Sequence, residues 1–110
     1  MEQRRTRRFK LQLPLSITRS GAERVTVAGR TKNISSTGVL FTTESEPDAA
    51  GVIEYVITLN HEGPQVVNLR CIGKIVRLER DDTRFESHPA YQVAATLERY
   101  EFIREQWAVS

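Results

Sequence analysis

VIEYVITL at residues 52–59 and QVVNLRCIGKIVRLER at residues 65–80 are the two stretches that decide the fold class. Both are rich in β-branched and aromatic residues, which pack well on a pleated surface and are typical of strands. The segment between them, NHEGP, contains the glycine and proline that favour a tight connection. The pair therefore predicts two antiparallel strands joined as a hairpin.

The second of these strands changes its pattern near Gly73. Leu69 and Cys71 share one face by period-two alternation, whereas Leu78 falls on the opposite parity. One extra residue in the strand would bring Leu78 back to the first face. We therefore expect a bulge near Gly73.

Other parts of the chain show the same strand signals. Four further segments have alternating apolar residues or a high β-branched content: residues 11–17, 24–34, 39–42 and 91–97. Pro14 lacks a backbone donor, which indicates that the first of them is an edge strand or lies at a barrel rim. Gly29 indicates a bulge or bend in the second.

The last segment of the chain changes its period. In residues 98–109, Tyr100, Ile103 and Trp107 are spaced i, i+3 and i+7 with charged residues between them. This spacing predicts an amphipathic C-terminal α-helix that covers one end of the sheet. With six strands and short connections, we expect an all-β fold, namely a six-stranded antiparallel β-barrel followed by this helix. The barrel and helix would occupy residues 11–110 as one domain.

The excess positive charge lies in the first residues of the chain. Residues 1–10 contain five basic residues and one acidic residue, whereas the remainder contains 11 basic and 13 acidic residues. We interpret residues 1–10 as a flexible basic arm that attracts phosphate or another anion.

Two short polar motifs suggest what the arm binds. Arg4 and Arg8 form Arg-x-x-x-Arg, and an arginine fork can grip a phosphate or a guanine edge and can stack on a base. In NISSTG at residues 33–38, Asn33 and Ser35 share a face in extended chain, and Gly38 permits a positive φ or a close backbone approach. Taken singly, each motif has a plainer explanation, namely a solvated charged segment or an ordinary hydrogen-bonded turn.

In this order, the two motifs resemble the signature of the PilZ domain family. FKLQLPLSI at residues 9–17 is similar to the family's first strand, and CIGKIV at residues 71–76 is similar to a later one. The resemblance implies a six-stranded barrel with a C-terminal helix and binding of the bacterial second messenger cyclic di-GMP. It implies the following ligand-binding residues: Arg4, Arg5, Arg8, Asn33, Ser35 and Gly38. The arginines would bind phosphates and guanine edges, and Asn33 and Ser35 would form hydrogen bonds with a guanine or a phosphate. Gly38 would allow the backbone to approach the ligand closely.

We therefore expect a cyclic di-GMP receptor that orders its arginine arm over the ligand and signals to a downstream protein partner. Two alternatives remain open at this point. One is a PilZ-like adaptor that binds proteins without nucleotide, and the other is a small barrel that binds nucleic acid through the basic arm. The intact signature argues against the adaptor, and only Phe9 interleaves with the basic residues, which argues against nucleic acid.

Catalysis, metal binding and a membrane location find little support in the sequence. The single cysteine, Cys71, excludes an internal disulfide and is expected to be a buried hydrophobe. His61 and His88 are far apart in predicted loops and offer no metal-ligand spacing. Apolar runs are far too short to span a membrane, and residues 1–10 are charged where a secretory signal would be apolar. We expect a cytoplasmic binding protein with no catalytic residues, no metal and no cofactor besides its ligand.

Overall fold

The computed structural model describes residues 11–60, 65–81 and 90–106. Within these ranges the chain forms seven strands, and their pairings are all antiparallel. The strands are β1 (Pro14–Ser20), β2 (Glu23–Ile34), β3 (Gly38–Thr43), β4 (Val52–Asn60), β5 (Gln65–Asp81), β6 (Ala90–Thr96) and β7 (Arg99–Gln106).

Strands β1 to β6 close into a barrel. The hydrogen-bonded order is β4-β1-β2-β3-β6-β5, and β4 also pairs with β5, which completes the ring. Closure needs the long β5, because its first half pairs with β4 up to Lys74 and its second half pairs with β6 from Ile75. The six-stranded antiparallel barrel and the antiparallel pairing of β4 with β5 are thus confirmed.

The interior of the barrel is filled by alternate residues of its strands. The buried apolar cluster consists of Leu15, Ile17, Val39, Phe41, Ile53, Tyr55, Ile57, Leu69, Cys71, Val93 and Ala95. Each fully buried side chain of the Val, Leu, Ile or Phe type stabilises the fold by roughly 1.5–3 kcal/mol relative to exposure. Cys71 is a free, fully buried member of this cluster, as expected from the sequence.

One polar group reaches the centre of this core. The Tyr55 hydroxyl donates a hydrogen bond of 2.9 Å to the backbone oxygen of Thr96, and the Tyr55 ring lies 5.8 Å from the ring of Phe41. The bond satisfies a hydroxyl that would otherwise be buried without a partner. Burial also raises the pKa of Tyr55 well above its ordinary value.

The same Thr96 explains why β5 has a glycine at position 73. A Cβ on Gly73 would lie 2.7 Å from the Thr96 carbonyl carbon, so a side chain would force β5 and β6 apart. The pairing of β5 with β6 shifts register between Ile75 and Arg77, which confirms the bulge expected near Gly73. Val76 is the extra residue and is exposed, whereas Leu78 returns to the side of the core.

Of the bulge or bend expected at Gly29, the bulge is wrong. Gly29 continues the regular pairing of β2 with both neighbours, and it lacks a side chain because the Thr42 carbonyl approaches too closely for one. The bulge of β2 lies instead at Lys32, where the pairing with β3 shifts between Thr31 and Asn33. Of the two expectations for Pro14, the edge strand is wrong, since β1 has a partner on both sides. The rim position is confirmed, because Pro14 is the first residue of β1.

The expected helix over residues 98–109 is also corrected. Residues 99–106 form β7, which pairs with β5 from Ile72↔Arg99 to Gln65↔Gln106, and residues 107–109 lie outside the described ranges. The same segment also fits a strand pattern, because Tyr100 and Phe102 are two residues apart and so lie on one face of an extended chain. The first half of β5 has an edge that β6 does not cover, and pairing with β7 along that edge satisfies the backbone groups that this half of β5 would otherwise leave unpaired. No helix long and apolar enough to cross a membrane occurs among the described residues.

Candidate ligand-binding site

The connection between β2 and β3 is a tight turn organised by Ser35. The Ser35 Oγ accepts hydrogen bonds from the backbone N–H groups of Thr37 (3.3 Å) and Gly38 (3.1 Å), and it donates to the Gly38 carbonyl at 3.1 Å. The Ser35 N–H also donates to that carbonyl at 2.9 Å. The serine is only 7% exposed, so these local bonds use the hydrogen-bonding capacity of its hydroxyl.

Gly38 starts β3 and lies against β6. A Cβ at this position would lie 3.0 Å from the Ala95 carbonyl oxygen, which is closer than almost all real Cβ contacts. The described glycines with a positive φ are Gly21 and Gly51, so close approach of the backbone is the reason for glycine at position 38. The residue allows β3 and β6 to pair beside the turn.

The bulge at Lys32 determines where Asn33 points. Thr31 pairs with buried Phe41 and is itself 1% exposed, so regular alternation would direct Asn33 into the barrel. After the extra residue, Ile34 packs against the core and Asn33 pairs with Leu40 on the outer face. Bulges often redirect side chains in this way near binding sites.

Asn33 begins a row of residues that crosses the outer face of the barrel. Asn33 of β2 is opposite Leu40 of β3, Leu40 is opposite Ala94 of β6, and Ala94 is opposite Arg77 of β5. With strands about 4.8 Å apart, the row spans roughly 14 Å. An amide and a guanidinium thus flank an apolar floor formed by Leu40 and Ala94.

A groove with a volume of about 310 Å³ lies along the part of this row from Leu40 to Arg77. It is lined by Ser35, Thr37, Gly38, Val39, Leu40, Val76, Arg77, Ala94, Ala95 and Thr96. The turn closes one end, the bulged Val76 and Arg77 form one wall, and the small residues keep the floor low. Where Thr96 lines the groove, its hydroxyl donates a 2.9 Å hydrogen bond to the Glu98 carboxylate.

The segment that precedes β1 is attached beside this groove by Thr31. The Thr31 Oγ1 accepts a 2.8 Å hydrogen bond from the Leu13 N–H and donates to the Leu11 carbonyl, and the Thr31 N–H donates to the Leu13 carbonyl at 2.9 Å. These bonds hold residues 11–13 two positions along β2 from Asn33. Leu11 therefore lies close to the Asn33 end of the row.

The chemistry of the groove suits a flat, anionic ligand. Arg77 and Lys32 are exposed cations on this side of the barrel, and Lys32 Nζ lies 3.4 Å from the Gln92 side-chain oxygen. The low apolar floor can receive a ring, and an amide can pair with the polar edge of a base. The described residues contain no group of three or more histidine, cysteine or acidic residues that could hold a metal ion. Burial raises the pKa of the Cys71 thiol to about 12, which keeps it protonated and unreactive near neutrality.

Of the six residues expected to bind the ligand, Asn33, Ser35 and Gly38 lie in or beside the β2–β3 connection. Arg4, Arg5 and Arg8 lie outside the described residues, so their assignment stays a prediction.

Sequence reasoning missed Thr31, Leu40, Ala94 and Arg77. Arg77 had a signal, because it directly follows Val76 at the break in alternation. The others depend on cross-strand register, which a single sequence does not reveal.

Residues 2–102 match the family model described as PilZ domain. The comparisons with curated proteins and with solved structures found no match. PilZ domains are a family of cyclic di-GMP-binding proteins and serve as binding or effector modules rather than enzymes. Because the matched residues cover most of the 110-residue chain, both polar motifs and all six barrel strands, this protein belongs to the PilZ domain family.

Proposed function

We propose that this domain binds cyclic di-GMP in the groove beside the β2–β3 turn, with the basic segment 1–10 closing over the ligand. The observation that carries the proposal is the row from Asn33 to Arg77, whose apolar residues and guanidinium line the groove and whose amide lies at the end of the row beside Leu40. The ligand offers two guanine bases and two phosphates, which match these groups in type.

Each group of the row has a distinct role in this proposal. Leu40 and Ala94 form the surface on which a guanine ring lies, because neither carries a polar atom on its side chain. The Asn33 amide pairs with a polar edge of the base. Arg77 donates to a phosphate or to the O6 and N7 acceptors of guanine, which arginine binds through two parallel hydrogen bonds.

The chain has enough length to bring the arginines to this groove. Arg8 lies three residues before Leu11, a reach of up to roughly 10 Å, and Arg4 lies seven residues before it, a reach of up to roughly 25 Å. The row measures roughly 14 Å from Asn33 to Arg77. Arg8 therefore serves the end near Asn33, Arg4 can reach the far end, and Arg5 adds charge between them.

Ser35 and Gly38 support the site through the backbone. The Ser35 hydroxyl is engaged within the turn, so its main contribution is to fix the turn that closes the groove. Gly38 keeps β3 close to β6 and leaves room for the ligand above them. Substitution of either residue would weaken binding by deforming the groove.

Isothermal titration of cyclic di-GMP tests the proposal. We expect Arg4→Ala/Arg8→Ala to raise the dissociation constant by at least about 100-fold, since each lost charge-assisted contact is worth roughly 1.5–3 kcal/mol. Arg77→Ala should raise it by about tenfold or more. The matched control is Arg24→Ala, which removes one exposed arginine of β2 nine positions before Asn33, about 30 Å along the strand.

The outcomes separate the proposal from its alternatives. If Arg77→Ala and Arg24→Ala bind with equal affinity, the groove is not the site. If the wild-type protein neither releases heat nor gains thermal stability with excess ligand, it does not bind cyclic di-GMP, and retention on single-stranded nucleic acid then separates the nucleic-acid-binding barrel from the adaptor. A true ligand at about 100 times its dissociation constant stabilises the folded state by about 2.7 kcal/mol, which a thermal-shift measurement detects easily.

Signalling would follow from the change in the basic segment. Ligand phosphates attract residues 1–10 to the groove, and the covered ligand and the segment then present a new surface to a downstream protein. Hydrogen exchange measured with and without cyclic di-GMP checks this step. Slower exchange of these amides on binding is expected, and unchanged exchange at saturating ligand would contradict it.

A further inference from the structure

Strand β7 extends the sheet beyond the closed barrel and has an open edge. Among the described strands it pairs only with β5, and it is the terminal strand in the order of the sheet. An unpaired edge offers a row of N–H and C=O groups to another strand. Native proteins usually protect such an edge, so an open one calls for an occupant.

Two exposed aromatic residues lie on one face of β7. Tyr100 is 59% exposed and Phe102 is 61% exposed, and their rings meet edge to face with centroids 6.0 Å apart. Tyr100 is opposite Cys71 and Phe102 is opposite Leu69, so both continue the face of β5 that lines the core. The barrel ends before it covers them, which leaves an apolar patch beside an open strand edge.

We propose that a second copy of this chain occupies this edge, with β7 pairing antiparallel to β7 of the second copy around a two-fold axis at Phe102. The axis is perpendicular to the sheet, so Tyr100 and Phe102 of both copies lie on the same side of one continuous sheet. Four aromatic rings then share one cluster. The interface is isologous, as in most homodimers.

The charges of β7 select this register. Centring on Phe102 sets Arg104 opposite Tyr100 of the second copy, where a guanidinium can lie over a ring. Centring one residue earlier would oppose Glu101 to its own copy, which is a like-charge contact. The register centred on Phe102 avoids this contact.

Glu101 does not oppose this arrangement. It lies on the other face of β7 and forms an ion pair with Arg70 of β5, its direct cross-strand neighbour. In the proposed register Glu101 is opposite Ile103 of the second copy, so no two carboxylates meet. The edge is therefore complementary to itself in backbone, apolar surface and charge.

Sedimentation velocity of the ligand-free full chain, from low micromolar to several hundred micromolar, tests the interface. We expect the wild-type protein to form a concentration-dependent dimer. Phe102→Asp places two carboxylates on the axis and should raise the dimer dissociation constant at least tenfold, which corresponds to about 1.4 kcal/mol. The control Val52→Asp alters a residue of β4 that is 44% exposed and should leave dimerisation within about twofold. Circular dichroism confirms that each variant is folded. A wild-type protein that stays monomeric throughout would overturn the proposal.

Cysteine cross-linking tests the register. Opposed residues of antiparallel strands have Cα atoms roughly 4.5–5.5 Å apart, which fits a disulfide. Phe102→Cys should therefore give an oxidised dimer on non-reducing gels, whereas Tyr100→Cys should not, because it faces residue 104. Both variants are made in a Cys71→Ala background, because Cys71 is directly opposite position 100 and could form a disulfide with a cysteine there. Efficient dimer formation by Tyr100→Cys but not by Phe102→Cys would refute this pairing.

Discussion

Thr31→Val removes the two side-chain hydrogen bonds that attach residues 11–13, keeps the backbone bond to the Leu13 carbonyl, and leaves the shape of the core nearly unchanged. Thr31 is 1% exposed, and its hydroxyl bonds both the Leu13 N–H and the Leu11 carbonyl. Two lost hydrogen bonds cost roughly 1–3 kcal/mol, and the added methyl offsets up to about 0.8 kcal/mol of this. We expect the free energy of unfolding to fall by about 1–2 kcal/mol, from a total of about 5–15 kcal/mol for a domain of this kind.

Urea unfolding followed by circular dichroism measures this change. Thr42→Val is the matched control, because the Thr42 hydroxyl makes only a long 3.5 Å contact to the Arg30 carbonyl and its loss should cost less than about 0.5 kcal/mol. Hydrogen exchange at the Leu13 amide should accelerate in Thr31→Val and not in the control. Equal stability of the two variants, with Leu13 still protected, would refute the role of Thr31.

The same variant should weaken the proposed ligand binding. If residues 11 and 12 must be ordered again when the ligand binds, the cost is roughly 1–2 kcal/mol per residue. The dissociation constant for cyclic di-GMP should then rise by at least about tenfold. An unchanged affinity in a variant that has lost Leu13 protection would show that the attachment does not prepare the site.

Three further predictions concern other parts of the barrel. Gly73→Ala should destabilise the fold by about 3 kcal/mol or more, measured by urea unfolding, because the new Cβ would lie 2.7 Å from the Thr96 carbonyl carbon. Deletion of Lys32 should remove the bulge but leave Asn33 opposite Leu40, because Asn33 then directly follows inward-facing Thr31, so its dissociation constant for cyclic di-GMP in a titration should match that of Lys32→Ala within about twofold. Burial raises the pKa of Cys71 from 9.0 to about 12, so the unfolded chain releases this proton first. Its contribution to stability is complete below pH 9 and is lost as the pH rises toward 12, and Cys71→Ala should reduce that loss.

The alternation of apolar residues was enough to predict the barrel, because one side of each strand has to face the core. Cys71 was placed correctly for the same reason, as was the bulge near Gly73, where the parity of the apolar residues visibly breaks. In β2 the parity changes at Lys32, but the bulge was assigned to the nearby glycine. Gly29 is required for a different reason, because the Thr42 carbonyl approaches too closely for a side chain at this position. A glycine in a strand pattern therefore had two explanations that the sequence alone did not separate.

The end of the chain shows where local pattern fails. Residues 98–109 satisfy a helical spacing, but the first half of β5 has an unpaired side that only the assembled barrel reveals. The need to pair that backbone is a tertiary requirement, and it overrides the local preference. The residues that lie opposite Asn33 on the outer face could not be predicted for a similar reason, because the register between two strands depends on both strands.

The bulge at Lys32 and the bulge at Val76 together make the candidate site. Each lies in a strand next to an inward-facing residue, Thr31 in β2 and Ile75 in β5, and each adds one residue to the outer face, Lys32 beside Asn33 and Val76 beside Arg77. Without the extra residues, Asn33 and Arg77 would keep their places opposite Leu40 and Ala94, but the Lys32 cation and the Val76 wall of the groove would be lost. Two independent irregularities beside one outer row are hard to explain by core packing, which a regular barrel without them would satisfy equally well. They are explained if the outer face between β2 and β5 has been shaped to hold a ligand.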